Sequence, residues 1–533
     1  MTYLAESWTV EERTRLSRYT SNQDAPVFAL CNLPEATKAA LFARYSRTSK
    51  SLRRLLLDEF LETGTEEPAA ASAGASRASE LFARVIGEFG DDSVAQLGGV
   101  HIACEQASQL LLKKIEWGRL MAYLEQSTRY IPYTDKPGGQ FRYYRGPEIL
   151  ETGLQEEYQA AQDNLFELYS RSIQRLRDHL EQTIPQQENT AARTRAIRAL
   201  ALDIARSLLP IATVSNVGIY GSAQSLEQLV LRLRADSLPE AQRYAELINQ
   251  ELQRTMPDLV SRLDRPDRGG VWVQYLAGIR EALAQARPDA PPALPEPPSV
   301  RLLSYDKDAE VRILTGALYP YGALSWPDLE RHIRSLTSRQ MDDLFLRAVG
   351  ERRNRRHKPG RGFEECHYRF EIVSDYGAFR DLQRHRMLTI QWQEVNSSLG
   401  FTCPLEVIDA GLESEWRDAV GKSEVLHGAL LEHNPLVAPY VLTLGHRIRY
   451  SMTLSAREAI HLIELRTSPQ GHRSYRDIAR EMYRQIRDVA GHRRLAAAMQ
   501  FVDQEDIHLP RYASEARMQP LPATRELPFP PQN

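Results

Sequence analysis

Two arginines flank a histidine at Arg384-His385-Arg386, and Glu125-Gln126-Ser127-Thr128-Arg129-Tyr130 sets a carboxylate, a hydroxyl and a guanidinium at alternate positions. These side chains suit an anion. The planar fork of arginine donates two parallel charge-assisted bonds to a phosphate, and a hydroxyl adds another donor. Each stretch also has a plainer reading: a solvated basic helix end for the first, and a loop with a surface Glu125–Arg129 ion pair for the second. Arg206, in Ala205-Arg206-Ser207-Leu208-Leu209-Pro210, and Arg466, in Leu465-Arg466, are further basic positions near helix ends. The run Arg352-Arg353-Asn354-Arg355-Arg356-His357-Lys358 reads as a solvated loop. There is no G-x-G-x-x-G, P-loop, zinc-ligand spacing or Ser/His/Asp arrangement to point to another chemistry.

The elements that must position these residues are mostly helical. Apolar residues recur at helical spacing over 80–120, 155–183, 190–209 and 224–256, and again over 326–350, 409–432, 454–466 and 472–490. Cys366–Ile372 alternates Tyr368, Phe370 and Ile372 with polar residues and predicts a strand with one buried face. A helix then runs from Tyr376 into Arg384. The expected fold class is α+β, mainly helical, with long helices around small antiparallel sheets.

Proline density at 286–300 (ARPDAPPALPEPPSV) predicts an extended connector. It divides the chain into an N-terminal domain, 1–285, and a C-terminal domain, 301–515, followed by a proline-rich tail, 516–533. EEPAAASAGASRAS at 66–79 reads as a flexible loop. The two halves repeat: SLEQLVLRLRADSLPEAQRYAELINQEL (225–252) and AREAIHLIELRTSPQGHRSYRDIAREM (456–482) are each a helix ending in Leu-Arg, a short break and a second helix. A formal net charge of -3 exerts no global pull on nucleic acid, so a phosphate site must be local. Cys31, Cys104, Cys366 and Cys403 are scattered and read as reduced thiols. With no apolar signal core and no apolar run of about 18 residues, the expectation is a cytoplasmic protein that neither spans a membrane nor is secreted.

Set together, the two short motifs resemble one motif split in two. The flavin-dependent thymidylate synthases carry R-H-R-x-x-S-x-N-E-x-S-x-R-Y as a single stretch. Residues 117–130, WGRLMAYLEQSTRY, are similar to its back half, and residues 384–397, RHRMLTIQWQEVNS, to its front half. The chain resembles a tandem duplication of that family in which the copies have decayed in complementary ways.

The resemblance implies two domains of that fold and a composite site. Arg384, His385, Arg386 and Arg449 would contact the flavin nucleotide. Glu125, Ser127, Arg129, Arg206, Arg386 and Arg466 would hold the substrate. It implies FAD as cofactor and reductive methylation of dUMP to dTMP, with methylenetetrahydrofolate and NADPH. No protein nucleophile and no metal are required, and a homodimer would form a pseudo-tetramer. The chain departs from the family at Glu365, where a flavin-binding histidine is expected, and at Asp381, where a substrate-contacting glutamine is expected. Trp117-Gly118, Leu124 and Gln391-Trp392 also depart, and Pro439 replaces the second copy's equivalent of Arg206. These changes support the alternative of a non-catalytic relative that binds flavin or nucleotide.

Overall fold

The computed structural model describes residues 6–46, 48–61, 95–288, 294–505, 509 and 511–517. The loop at 66–79 and the tail from Met518 lie outside the described residues. The chain forms two compact units, one of residues 1–126 and 214–290, the other of residues 127–213 and 291–533. The segment 127–213, which the proline-rich connector alone would assign to an N-terminal domain, thus belongs with the C-terminal half.

The protein is mainly helical, with two small antiparallel sheets. Along the first half run β1 (Gly99–Ser108), α1 (Gln109–Ile115), β2 (Met121–Glu125), α2 (Gln155–Thr183), α3 (Thr190–Ala205), β3 (Val214–Ser222), α4 (Ala223–Arg234) and α5 (Pro239–Thr255). The second half begins with β4 (Ser299–Tyr305) and continues with β5 (His367–Asp375), α6 (Tyr376–Gln383), β6 (Leu388–Trp392), α7 (Glu413–His433), β7 (Arg447–Ser455), α8 (Ala456–Arg466) and α9 (Arg473–Arg484). The first unit's sheet has the order β1-β3-β2 and the second's β4-β5-β7-β6. Removing the edge strand β4 leaves the same topology twice.

Register makes the repeat exact enough to assign equivalent residues. Gly99 pairs with Ser222 and Met121 with Gly221, while His367 pairs with Ser455 and Leu388 with Leu454. Ser222 and Ser455 each end a strand and cap the next helix, accepting from the amides of Ser225 and Glu458. Ser108 and Asp375 do the same for α1 and α6. By this register Trp117 is the counterpart of Arg384, each four residues before its strand. Pro439 is the counterpart of Arg206, each eight residues before its strand.

Within the second unit the two copies meet along a pseudo-two-fold axis. Pro210 bridges Thr443, and each lies four residues before β3 or β7. The Ile211 amide donates to the Leu442 carbonyl at 2.7 Å, and the Leu444 amide to the Leu209 carbonyl at 2.8 Å. The amides of Ala212 and Gly445 likewise donate to the carbonyls of Tyr440 and Ser207. Reciprocal bonds between equivalent residues satisfy a backbone that is buried on both sides. Beside them, Trp416 of α7 is buried and donates its indole N–H to the Ser172 hydroxyl of α2 at 2.9 Å.

Two expectations are corrected. Residues 99–108, inside the stretch 80–120 expected to be helical, form β1, whose alternation is broken by a bulge between Cys104 and Ala107; residues 80–94 of that stretch lie outside the described residues. The basic run at 352–358 is not uniformly solvated: Arg352 is buried, bonded to both carboxylate oxygens of Glu464 at 2.7 and 2.5 Å and to the carbonyls of Ala498 and His357. Among the described residues no helix is long and apolar enough to cross a membrane.

A buried guanidinium that loses its carboxylate keeps its full desolvation cost. Glu464→Ala is therefore expected to destabilise the protein by about 3–5 kcal/mol in urea unfolding. A loss below about 1 kcal/mol, the size of a surface pair, would contradict the burial of Arg352.

Candidate functional site: a buried arginine–aspartate cluster

Four guanidiniums converge in the second unit. Arg206, Arg384 and Arg466 each sit at the end of a helix or just past it, and Arg129 lies in the turn that follows β2. Asp203, in the last turn of α3, is three residues before Arg206, so both project from one face. Asp381 and Arg384 repeat that spacing at the end of α6, whose first turn is fixed by Asp375 accepting from the Ala378 amide at 2.7 Å. Arg466 closes α8, and Tyr475 lies in the first turn of α9.

The contacts form a chain of alternating charge. Arg129 Nε and Nη2 donate to the two oxygens of Asp203 at 2.6 and 2.9 Å, and Nη1 donates to the Tyr475 hydroxyl at 2.8 Å. Arg206 Nε lies 3.8 Å from Asp203, while its Nη1 and Nη2 reach Asp381 Oδ2 at 3.3 and 3.4 Å. Arg384 Nη2 donates to Asp381 Oδ1 at 2.5 Å, and Arg466 Nη2 donates to the Asp381 carbonyl. Arg129 and Arg466 both face the Tyr475 ring, at 5.5 and 5.3 Å. Arg511 adds a fifth guanidinium 3.8 Å from Asp203.

Burial alone would raise both carboxylates. The surrounding arginines outweigh it: Arg129, with His472 and Arg206, holds Asp203 well below the usual range, and Arg384, Arg206, Arg129 and Arg466 do the same for Asp381. Both are ionised at neutral pH, yet five arginines face two aspartates. The cluster keeps a cationic excess in a largely desolvated setting, which suits a phosphate.

His385 is buried beside it. Its Nδ1 lies 2.8 Å from Glu458 Oε1, and its Nε2 accepts from Arg466 Nε at 2.9 Å. An arginine cannot accept, so the proton of the neutral ring is on Nδ1 and is donated to Glu458. Burial, then Arg466, lowers the His385 pKa to about 4. Glu458 falls to about 2, because the hydrogen bonds from His385 and His461 outweigh its burial. His385, Glu458 and His461 come close enough to surround a metal ion. The tautomer that Arg466 imposes, however, makes Nδ1 of His385 a donor rather than a ligand.

The residues singled out in the sequence are distributed as follows. Arg129, Arg206, Arg384, His385 and Arg466 come together. Ser127 accepts from the Arg129 amide at 3.2 Å and shapes the turn that carries it. Arg386 is exposed, and Arg449 on β7 is bonded to Glu296. Glu125 belongs to the first unit, where it is buried 3.5 Å from Lys113 Nζ. Trp117, the counterpart of Arg384, stacks with Arg232 at 5.2 Å instead of presenting a charge. Arg234 is the twelfth residue of α4, whereas Arg466 is the eleventh of α8. The extra residue turns it by about 100°, and it pairs with Glu246 and Asp264.

Asp203, Glu458, Tyr475 and Arg511 were missed. Only Asp203 left a trace, its spacing of three from Arg206.

The lowered His385 pKa has a definite sign. Between its ordinary value of 6.5 and about 4, the unfolded chain takes up a proton that the folded ring refuses. Stability is therefore lost as pH falls through that window. His385→Gln, which keeps an acceptor for Arg466, is expected to flatten the fall in unfolding free energy between pH 6.5 and 4. An unchanged slope in urea titrations across that range would show that His385 is not held neutral.

Comparison with known proteins adds the lineage. The family model described as thymidylate synthase complementing protein matches residues 32–258 and 301–491. The UPF0159 protein of Chlamydia muridarum is 35% identical over 520 residues, 95% of this chain and 98% of that protein. The UPF0159 protein of Thermoplasma acidophilum is 30% identical over 509 residues, 90% and 98% respectively. Among solved structures, a UMP/dUMP methylase, PolB, of Streptomyces cacaoi bound with 5-Br dUMP matches 38% of this chain and 97% of its own at 16% identity and a TM-score of 0.31. Thymidylate Synthase X of Helicobacter pylori with FAD and dUMP matches 38% and 99% at 17% identity and a TM-score of 0.28. With family sequence in both halves, the chain belongs to the thymidylate synthase complementing protein family.

Proposed function

We propose that this chain is a thymidylate synthase-like enzyme that acts on dUMP and holds its phosphate with Arg129, Arg206, Arg384 and Arg466. The observation that supports this most is the convergence of these four guanidiniums on two buried carboxylates within one unit. A dianionic phosphate offsets their excess charge, and it would take over guanidinium donors that Asp203 and Asp381 now hold. Arg129 and Arg206 come from the first copy, Arg384 and Arg466 from the second. The site would then be composite, as a motif divided between copies requires. Methylenetetrahydrofolate, FAD and NADPH belong to this reading as the other participants in reductive methylation.

The side chains assigned to the flavin by resemblance do not fit it as they stand. Both ring nitrogens of His385 are engaged, Arg449 is held by Glu296, and Glu365 occupies the position of a flavin-binding histidine. These same contacts favour a second reading, a relative that binds the nucleotide without turnover.

Calorimetric titration of the full chain with dUMP tests the phosphate assignment. Arg129→Ala and Arg384→Ala should each weaken binding by about 10- to 150-fold, the equivalent of about 1.5–3 kcal/mol for a charged contact. A loss in only one variant would remove the shared phosphate. Visible absorption with added FAD separates the two readings. A bound flavin whose spectrum shifts with dUMP supports turnover, and a colourless protein that still binds dUMP supports nucleotide binding alone.

A further inference from the structure

Four guanidiniums of the cluster have hydrogen-bonded acceptors within the protein; the Nη atoms of Arg511 have none. Arg129 gives Nε and both Nη atoms to Asp203, Tyr475 and the Gln470 carbonyl. Arg206 turns both Nη atoms to Asp381, Arg384 gives Nη2 to Asp381, and Arg466 reaches His385 and the Asp381 carbonyl. Arg511 is 6% exposed, and among the described residues its buried Nη1 and Nη2 meet no acceptor. The Asp203 carboxylate lies 3.8 Å away, beyond hydrogen-bond reach, and already accepts from Arg129 through both oxygens. Burial, then Arg129, lowers the pKa of Arg511, as expected of a cation short of counter-charge.

The side chain is nevertheless held in place. The Arg511 carbonyl accepts from the amides of Ser514 and Glu515 in the short helix Tyr512–Arg517. That helix is fixed to the rest of the unit at three points. The Tyr512 hydroxyl accepts from the Asn189 amide at 3.0 Å, the Ser514 hydroxyl accepts from Gln470 Nε2 at 2.6 Å, and Glu515 pairs with Arg195 of α3 at 2.9 Å. The Arg511 guanidinium lies 4.5 Å from the centre of the Tyr130 ring, and that residue is 57% exposed. Arg511 therefore stands where the cluster approaches solvent. Two buried donors on a side chain held at both ends are preorganised for an acceptor from outside the chain.

We infer that Arg511 is a further binding residue for the phosphate monoester, presenting Nη1 and Nη2 to its oxygens, and that it adds to the discrimination of nucleotide from free nucleoside. The inference rests on the phosphate site proposed above and extends it to the C-terminal segment. A phosphate meets the fork of Arg511 without displacing a carboxylate, whereas at Arg129 and Arg206 it must exchange with Asp203 or Asp381. A nucleoside brings no charged oxygens to this position. Because Arg511 belongs to the C-terminal segment, an anion held by it also fastens residues 511–517 to the cluster.

Calorimetric titration of the full chain with inorganic phosphate, dUMP and deoxyuridine tests this. Arg511→Met should weaken phosphate and dUMP by about 10- to 150-fold, the loss of charge-assisted bonds, and leave deoxyuridine binding as it was. Phosphate should slow deuterium exchange in the peptide 511–517 of the natural chain and not of the variant. The melting temperature without ligand should not fall, since an apolar side chain replaces a buried charge that lacks hydrogen bonds. Arg511→Gln, a neutral polar replacement, takes the place of Arg511→Met should that variant fail to fold. Unchanged phosphate affinity, or no protection of 511–517 in the natural chain, overturns the inference. If dUMP binds the natural chain and the variant equally, Arg511 is excluded and the dUMP reading stands. If phosphate binding depends on Arg511 but dUMP does not bind, Arg511 keeps its role and the dUMP reading fails. A chain that binds neither phosphate nor dUMP overturns both.

Discussion

Everything around the candidate site depends on one electrostatic constraint: buried guanidiniums must have counter-charges. Asp203 and Asp381 meet that need, each bridging arginines that are distant in sequence. Without them, Arg129 and Arg206 would carry an uncompensated desolvation cost of several kcal/mol apiece. The helix ends are arranged to satisfy this constraint. Asp375 fixes the start of α6 and so the place of Asp381, and Glu458 fixes His385, which in turn steadies Arg466. A phosphate entering the cluster would exchange with carboxylates already bound to the same donors.

Duplication explains how such a cluster is assembled from two half-motifs. Reciprocal backbone bonds between residues 207–212 and 440–445 bring equivalent turns of the two copies together in one unit. Arg206 lies at one of these turns and Pro439 at its counterpart, so only one side of the pseudo-two-fold axis is charged. Trp117, the counterpart of Arg384, likewise carries no charge and stacks with Arg232.

Much of this was legible in the sequence. The strand around Tyr368, Phe370 and Ile372 and the helix leading to Arg384 announced themselves by period, and the paired helices at 225–252 and 456–482 announced the repeat. Arg384 stood out in the R-H-R stretch at a helix end, and Arg129, Arg206 and Arg466 stood out because their short motifs resemble the family's. Other features had no local signature. Strand β1 is interrupted by a bulge, and Arg352 looks like its solvated neighbours until Glu464, more than a hundred residues away, is placed beside it. The exchange of 127–213 into the second unit cannot be read from composition, because no proline or glycine cluster marks Gln126 or Thr213. Tyr475 and Glu458 matter only through contacts formed on folding.

The claim that the two copies serve one anion is tested most directly by a double-mutant cycle on dUMP binding with Arg129→Ala, Arg384→Ala and the combined variant. If both guanidiniums hold the same phosphate, the combined loss should differ from the sum of the single losses by about 0.5–3 kcal/mol. Strict additivity, within about 0.5 kcal/mol, would mean that the two arginines act apart and that no shared site exists.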